Sequence, residues 1–453
     1  MKVSIIGTGY VGLVSGACLA EKGHEVTCVD VDAAKVARIN QGVSPIYERD
    51  LDALLQRNLG TRLRATTDLG AAVLDSELSL IAVGTPFDGR QIDLGYVREV
   101  ARQIGVVLRD KAAYHVVVVK STVVPGTTDS VVRPILEQAS GRQASRDFGV
   151  GMNPEFLTEG EAVGDFMDPD RIVIGGIDAA SIAAQERLYA GFAGVPVIRT
   201  GCATAEMIKY ASNSLLATMI SFANEIGNLG ATLGGIDVAD VMRGVHASRY
   251  LTVTTDDGRA LRPGIVGFLE AGCGFGGSFL PKDGSALAAQ GAAAGSPMPL
   301  LGAVLEVNRG QPARMLDLLG RHFPTLAGVR VTVLGLAFRP DTNDMRESPA
   351  IPIVRALLAA GAEVSAFDPV AMEEARRVFA GEAVRYASTL ADAVREAQAV
   401  LLVTRWEEFR TLPAVLAGGA TRPVLVDGRR LIDPGAWTPY EGIGRSVTRG
   451  DRR

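Results

Sequence analysis

The sequence predicts an α/β protein with a parallel sheet at the N-terminal end, a helical middle and a smaller α/β region at the C-terminal end. Three observations carry that prediction. Over the first 200 or so residues, short β-rich apolar runs alternate with stretches of helical spacing. From about Cys202 a long segment has neither strand break nor proline. At Val329 the strand pattern returns. Alternation of this kind puts helices on both faces of a parallel sheet.

The expected N-terminal strands are "KVSIIG", "EVTCVD", "LSLIAVG", "HVVVVKST", "FGVGMNPE" and "RIVIGG", with helices such as "YVGLVSGACLAEKG" and "AAKVARINQG" between them. "ATAEMIKYASNSLLATMISFANEIGNLGATLG" reads as one long helix. "VRVTVLGLAF", "AEVSAFDP", "AVLLVT" and "PVLVDG" read as the strands of the last region. Linkers are expected near residue 200 and over residues 310–328, giving domains 1–200, 201–310 and 311–453.

Bulk properties narrow the function. The chain has 453 residues, 47% apolar and 21% charged, a globular balance too long for one ordinary core. A net charge of −5 provides no basic footprint for nucleic acid, so an anionic substrate needs a locally basic pocket. The apolar runs fall well short of the roughly 20 residues of a membrane helix. With "MKVSIIG" reading as a strand, the expected location is the cytoplasm. Cys18, Cys28, Cys202 and Cys273 show no metal-ligand spacing, so no metal is expected.

"IIGTGYVGLVSG" places Gly7, Gly9 and Gly12 in G-x-G-x-x-G spacing directly after the first strand. Gly7 permits the tight turn, Gly9 admits a pyrophosphate, and Gly12 lets helix and strand approach. Asp30, closing the second strand, supplies a carboxylate for ribose hydroxyls and disfavours a 2′-phosphate. The reading is a Rossmann-type domain that prefers NAD to NADP. Thr85 in "VGTP" and Thr122 in "KSTVVPGT" follow further strands, where loops line the ligand crevice, and are candidate hydroxyl donors to the cofactor. Lys209, Asn213 and Asn224 share one face of the long helix, within an arc of ~60°, and suit an anionic, polyhydroxylated ligand. "GCGFGGSFLPKD" joins four glycines to Lys282 and Asp283. Its glycines suggest a backbone that approaches a ligand closely.

With "NPEFLTEGEAVGDFMDPDRIVIGG", "SFANEIG", "GLAFRPDTNDMRESPA" and "DGRRLIDP", these motifs resemble, in order and over nearly the whole chain, the UDP-glucose 6-dehydrogenase family of nucleotide-sugar dehydrogenases. The resemblance implies NAD-dependent oxidation of a nucleotide-linked hexose at C6, with two hydride transfers. It implies a central helix that forms a homodimer interface and a C-terminal, Rossmann-like domain that holds the nucleotide. Carried over by motif, the NAD contacts are Val11, Asp30, Lys35, Thr85, Thr122, Glu159, Lys282 and Arg346. The sugar-nucleotide contacts are Glu155, Phe156, Leu157, Thr158, Glu159, Lys209, Asn213, Gly276 and Arg339. In the family, Asp283 and Thr122 position a water and Lys209 steadies the oxyanion, which makes Lys209, Asp283, Thr122, Glu159 and Asn213 the expected catalytic set.

One position departs. The family's loop carries a nucleophilic cysteine between its serine and its proline, where this chain has Phe279. A benzyl ring cannot form the thiohemiacetal and thioester of a covalent route. Three outcomes follow: a uronate made through the hydrated aldehyde, release of a 6-aldehyde after two electrons, or a non-catalytic nucleotide-sugar binder or partner of an active paralogue. Cys273, six residues earlier, is expected to be a buried, inert thiol. Smaller departures are Thr158 where arginine is frequent, Arg339 where lysine is frequent, and Arg262 one place out of register; they leave open which sugar is bound.

Overall fold

The structure is a computed structural model, and it describes residues 1–419 and 422–446. Residues 420–421 and 447–453, within the expected C-terminal domain, lie outside the described residues. The chain divides into two compact units, Met1–Ser212 and Asn213–Arg453.

In the first unit, β1 (Lys2–Ile6), β2 (Glu25–Val29), β3 (Leu63–Thr66), β4 (Leu78–Ile81), β5 (Val116–Val119), β6 (Gly149–Met152), β7 (Ile172–Gly176) and β8 (Val197–Thr200) form one sheet. Their order is β3-β2-β1-β4-β5-β6-β7-β8. Ile5 lies opposite Cys28 on one side and Leu80 on the other. The central strands are buried on both faces: Ile5, Leu80 and Val118 enter one core, and Ile6, Ile81, Val117 and Val119 the other. That explains their unbroken apolar runs.

Two expectations need correction. The sheet is not wholly parallel, because β6 and β7 pair antiparallel. The chain leaving β6 turns at the strands' carboxyl edge and comes straight back, so the intervening segment, including Glu155–Glu159, stays on that edge. Two strands also went unforeseen. β3 and β8 are the outermost strands, and the exposed residues in "LRAT" and "VIRT" blur their pattern.

The turn after β1 follows the glycine reading. Gly7 has φ +101°, a conformation that a side chain disfavours. A Cβ on Gly12 would stand 1.9 Å from the Gly7 carbonyl oxygen, so helix Tyr10–Glu21 can lie this close to the turn only with glycine there. From Gly12 to Ala20 that helix is buried without interruption.

Helix Cys202–Leu233 is continuous, as the sequence predicts. In the second unit β9 (Val253–Thr254) and β10 (Ala260–Leu261) form a small hairpin. A six-stranded parallel sheet follows, made of β11 (Arg330–Leu334), β12 (Glu363–Phe367), β13 (Val384–Tyr386), β14 (Ala399–Leu402), β15 (Val424–Asp427) and β16 (Tyr440–Gly442). Its order, β13-β12-β11-β14-β15-β16, repeats that of the first six strands of the other sheet. The strands unforeseen here, β13 and β16, are again the edges. The linker expected over 310–328 is helical as far as Gly320, because helix Pro299–Gly320 continues through it. Met315, Leu318 and Leu319 of that helix are buried in the same core as Val331 and Val426.

Replacing Gly12 by alanine is expected to destabilise the protein by about 3 kcal/mol or more, since backbone oxygen cannot yield as a side chain can. Urea or thermal unfolding checks this; an unchanged midpoint would contradict the close approach.

Candidate active site

The first unit gathers its candidates at the carboxyl ends of adjacent strands. Gly7, Gly9, Val11 and Gly12 follow β1, Asp30 and Lys35 follow β2, Thr85 follows β4, and Thr122 follows β5. Gly9 is the N-cap of helix Tyr10–Glu21 and caps it with no side chain, leaving the first N–H groups for a ligand. Asp30 is fixed by its neighbours: Oδ2 accepts from the Thr8 amide at 2.9 Å and hydroxyl at 2.5 Å, and Oδ1 from the Asp32 amide at 3.0 Å. Burial pushes its pKa up, but the Thr8 and Asp32 hydrogen bonds and the Lys35 charge outweigh burial and hold it below the usual value. It is therefore a carboxylate at neutral pH.

Thr85 differs from expectation. Its hydroxyl donates to the Thr122 carbonyl at 2.7 Å, so its one hydrogen ties the β4 loop to the β5 loop and is not free for a cofactor. Thr122 is nearly buried.

Glu155 to Glu159 follow β6. Lys209, on the long helix, forms an ion pair with Glu155 at 2.8 Å, with both side chains almost fully buried. Glu155 Oε2 also accepts from the Leu157 amide at 2.7 Å. The Phe156 ring lies under the Arg171 guanidinium at 3.9 Å, and the Lys209 ammonium is 5.6 Å from its centroid. Leu157 and Glu159 are buried. A cavity of about 300 Å³ opens here, lined among others by Lys120, Asn153, Glu155, Phe156, Arg171 and Tyr189.

Sequence reasoning missed the groups that hold this segment. Glu48 accepts from the Gly160 amide at 2.7 Å and the Ala162 amide at 2.9 Å, and the Tyr10 hydroxyl donates to the same carboxylate. Lys120 is fully buried and donates to Asn153 Oδ1 at 2.8 Å. Burial, reinforced by the Lys209 charge and opposed by Glu155, brings its pKa down to about 8. Tyr10 and Lys120 both lay inside quoted motifs, so their place beside the glycines and the threonine was the available signal. Glu48 left none.

In the second unit, Asn213 Nδ2 donates to Asp283 Oδ2 at 2.7 Å, and Lys282 Nζ meets Asp283 Oδ1 at 2.6 Å. Asp283 has no exposed surface. It lies in the first turn of helix Leu280–Ala293, where the helix dipole favours a negative charge. Phe279 is the N-cap of that helix, and its carbonyl accepts from the Asp283 amide. Arg346 grips Asp344 with a forked guanidinium, and Arg339 is half-buried.

The glycines of residues 272–277 answer to protein, not to an open ligand surface. A Cβ on Gly276 would stand 2.2 Å from the Glu347 carbonyl oxygen, and one on Gly277 would stand 2.7 Å from the Phe338 ring. The Gly277 amide donates to the Arg346 carbonyl at 2.9 Å. Asn224 has a similar task, since its Oδ1 accepts from the Gly272 amide at 2.7 Å. Of the three polar residues on one helix face, Asn224 thus anchors the loop.

All four thiols are buried. Burial pushes Cys18, Cys28 and Cys202 up to about 12. Cys273 sits in the core of the second unit with its Sγ 3.5 Å from the Val403 carbonyl, and burial raises its pKa as well. None has the exposed, cation-assisted setting of a reactive thiolate.

Family models match the chain along most of its length. The UDP-glucose/GDP-mannose dehydrogenase NAD binding domain covers residues 1–193, the central domain 203–310 and the UDP binding domain 332–434. The UDP-glucose 6-dehydrogenase AglM of Haloferax volcanii is 44% identical over 451 residues, 98% of this chain and 100% of that protein. TuaD of Bacillus subtilis, a UDP-glucose 6-dehydrogenase, is 41% identical over 99% of this chain and 94% of its own length. A GDP-mannose 6-dehydrogenase of Azotobacter vinelandii is 44% identical over 81% of both chains. The solved UDP-glucose dehydrogenase of Pyrobaculum islandicum superposes with a TM-score of 0.88 at 38% identity, covering 98% of each chain. With a fingerprint turn that obeys its glycines and matches over all three regions, the chain belongs to the UDP-glucose/GDP-mannose dehydrogenase family.

Proposed function

We propose that this protein is a cytoplasmic, homodimeric nucleotide-sugar 6-dehydrogenase that oxidises UDP-glucose at C6 to UDP-glucuronate without a cysteine nucleophile at the usual position. NAD is the cofactor, and the residues suit it. A Cβ on Gly9 would meet nothing within 4 Å, so the protein itself does not require glycine there; an approaching pyrophosphate does. The anionic Asp30 suits the ribose hydroxyls. Val11 and Lys35 belong to the same side by position, and Glu159, Lys282 and Arg346 by motif. The match of residues 332–434 to a UDP binding domain, and relatives named as UDP-glucose 6-dehydrogenases, support the choice of nucleotide and sugar.

The observation that supports the reading is two buried charge devices, one in each unit: Lys209 with Glu155, and Asp283 with Asn213 and Lys282. Bound NAD supplies the hydride acceptor for each oxidation. Lys209 stabilises negative charge developing on O6, a role that gains strength in its dry setting. Asp283, oriented at both oxygens, takes the proton from the hydroxyl and, with Thr122, holds a water. Once Asp283 has passed its first proton to solvent, that water adds to the aldehyde to give a gem-diol, from which Asp283 takes a second proton as the second hydride leaves to a second molecule of NAD. Glu155, Phe156, Leu157, Glu159, Asn213, Gly276 and Arg339 contact the sugar nucleotide.

Phe279 favours a second reading, in which the reaction stops at the 6-aldehyde, because water is a weaker trap for that carbonyl than a thiolate. A purely non-catalytic binder or partner has no use for the retained charges.

The homodimer draws support from the long helix. Met207, Leu215, Phe222, Leu229 and Leu233 are exposed, and their spacing keeps them within an arc of ~80°. Among the described residues no helix is long and apolar enough to cross a membrane.

Counting NADH against product with UDP-glucose tests the reading: two per uronate supports it, one per aldehyde supports the alternative, and tight binding without turnover overturns both. Gly9→Ala should leave the unfolding midpoint in place and raise the NAD dissociation constant roughly tenfold or more. Phe279→Cys places a thiol at a helix N-terminus, where its pKa falls. If the wild type stops at the aldehyde, that variant should gain uronate formation and become sensitive to iodoacetamide.

A further inference from the structure

Glu206 is a buried carboxylate that the proposed chemistry does not use. It lies on the long helix with no exposed surface and binds the loop after β5 through three hydrogen bonds. Oε2 accepts from the Gly126 amide at 2.5 Å. Oε1 accepts from the Thr128 amide at 2.8 Å and from the Thr128 hydroxyl at 2.7 Å. Thr122 lies in the same loop, four residues before Gly126.

We propose that Glu206 is a positioning residue whose ionised carboxylate anchors the Gly126–Thr128 turn and thereby sets Thr122. The donors favour the charge. All three partners donate to the carboxyl group, two of them amides that can only donate, and hydrogen bonds to an ionised carboxylate are roughly twice as strong as those to a neutral one, so protonation weakens the anchor. The surroundings put this titration in an accessible range. Burial, with Asp129 adding to it, brings the Glu206 pKa up to about 7 against the pull of its hydrogen bonds. Among the described residues the Cys202 thiol, kept neutral by burial, also faces this carboxylate, and Arg133, which opens helix Arg133–Ser140, acts on that thiol.

The sign of the linkage separates positioning from mere support. Because the folded carboxyl holds its proton to higher pH than the unfolded one, the fold loses stability from Glu206 as pH rises from the usual carboxyl range to about 7. Over the same rise the turn gains its anchor. Stability and turnover therefore move in opposite directions, whereas for a simple structural prop they move together.

The link to turnover rests on the role of Thr122 given above, so the tests read the anchor and the chemistry apart. Hydrogen exchange of the 121–132 segment, corrected for intrinsic rates, should show protection rising about tenfold per anchored amide as pH passes through 7. In Glu206→Gln that step should vanish, the low-pH fall in kcat should vanish with it, and kcat should stay at the low value throughout. Stability relative to wild type should shift towards the variant as pH rises. Asp129→Asn, which keeps every hydrogen bond to Glu206, should move both transitions to lower pH, and it serves if the glutamine variant does not fold. A protection step that persists in Glu206→Gln, or is unmoved in Asp129→Asn, overturns the proposal. If protection titrates as stated but Thr122→Val leaves kcat intact, the anchor stands and the role of Thr122 falls.

Discussion

The ion pair between Lys209 and Glu155 is the constraint around which the first unit's chemistry is arranged. Two opposite charges with almost no exposed surface lose much hydration, and their attraction returns only part of it. An apolar pair of similar size would serve the fold at least as well. What the charges give is a field in a dry setting, where charge acts most strongly. The supporting groups follow from that need. The Leu157 amide fixes one carboxylate oxygen, Phe156 lies near the ammonium, and burial brings the pKa of neighbouring Lys120 down to about 8.

How much of this was legible depended on where each residue sits. Strands buried on both faces announce themselves as unbroken apolar runs, and so β1, β2, β4 and β5 and their counterparts β11, β12, β14 and β15 could be read. Edge strands β3, β8 and β13 touch one neighbour and leave side chains in water, which dilutes the pattern, whereas β16 is buried but reads only "YEG", too short and polar a run to stand out. The linker expected over residues 310–328 is instead helical as far as Gly320, with Pro312 accommodated inside helix Pro299–Gly320. The reversal at β6–β7 has no local signature.

The candidate residues were legible as motifs and not as partnerships. Position after a strand identified Asp30 and Thr122, and helical spacing put Lys209 and Asn213 on one face. Which acid meets which base depends on contacts between distant segments: Glu155 with Lys209, Asn213 with Asp283, Glu206 with Gly126, Glu48 with Gly160. Thr85 shows the limit, since a hydroxyl in the right place has its single hydrogen assigned by a backbone carbonyl no pattern could reveal.

The packing of residues 272–277 bears on how this loop can drift. Gly276 and Gly277 are held by the Glu347 carbonyl and the Phe338 ring, contacts internal to one unit, so their retention is enforced by scaffold geometry whatever reaction runs nearby. The glycine signature of this loop accordingly testifies to a shared framework and not to any particular chemistry.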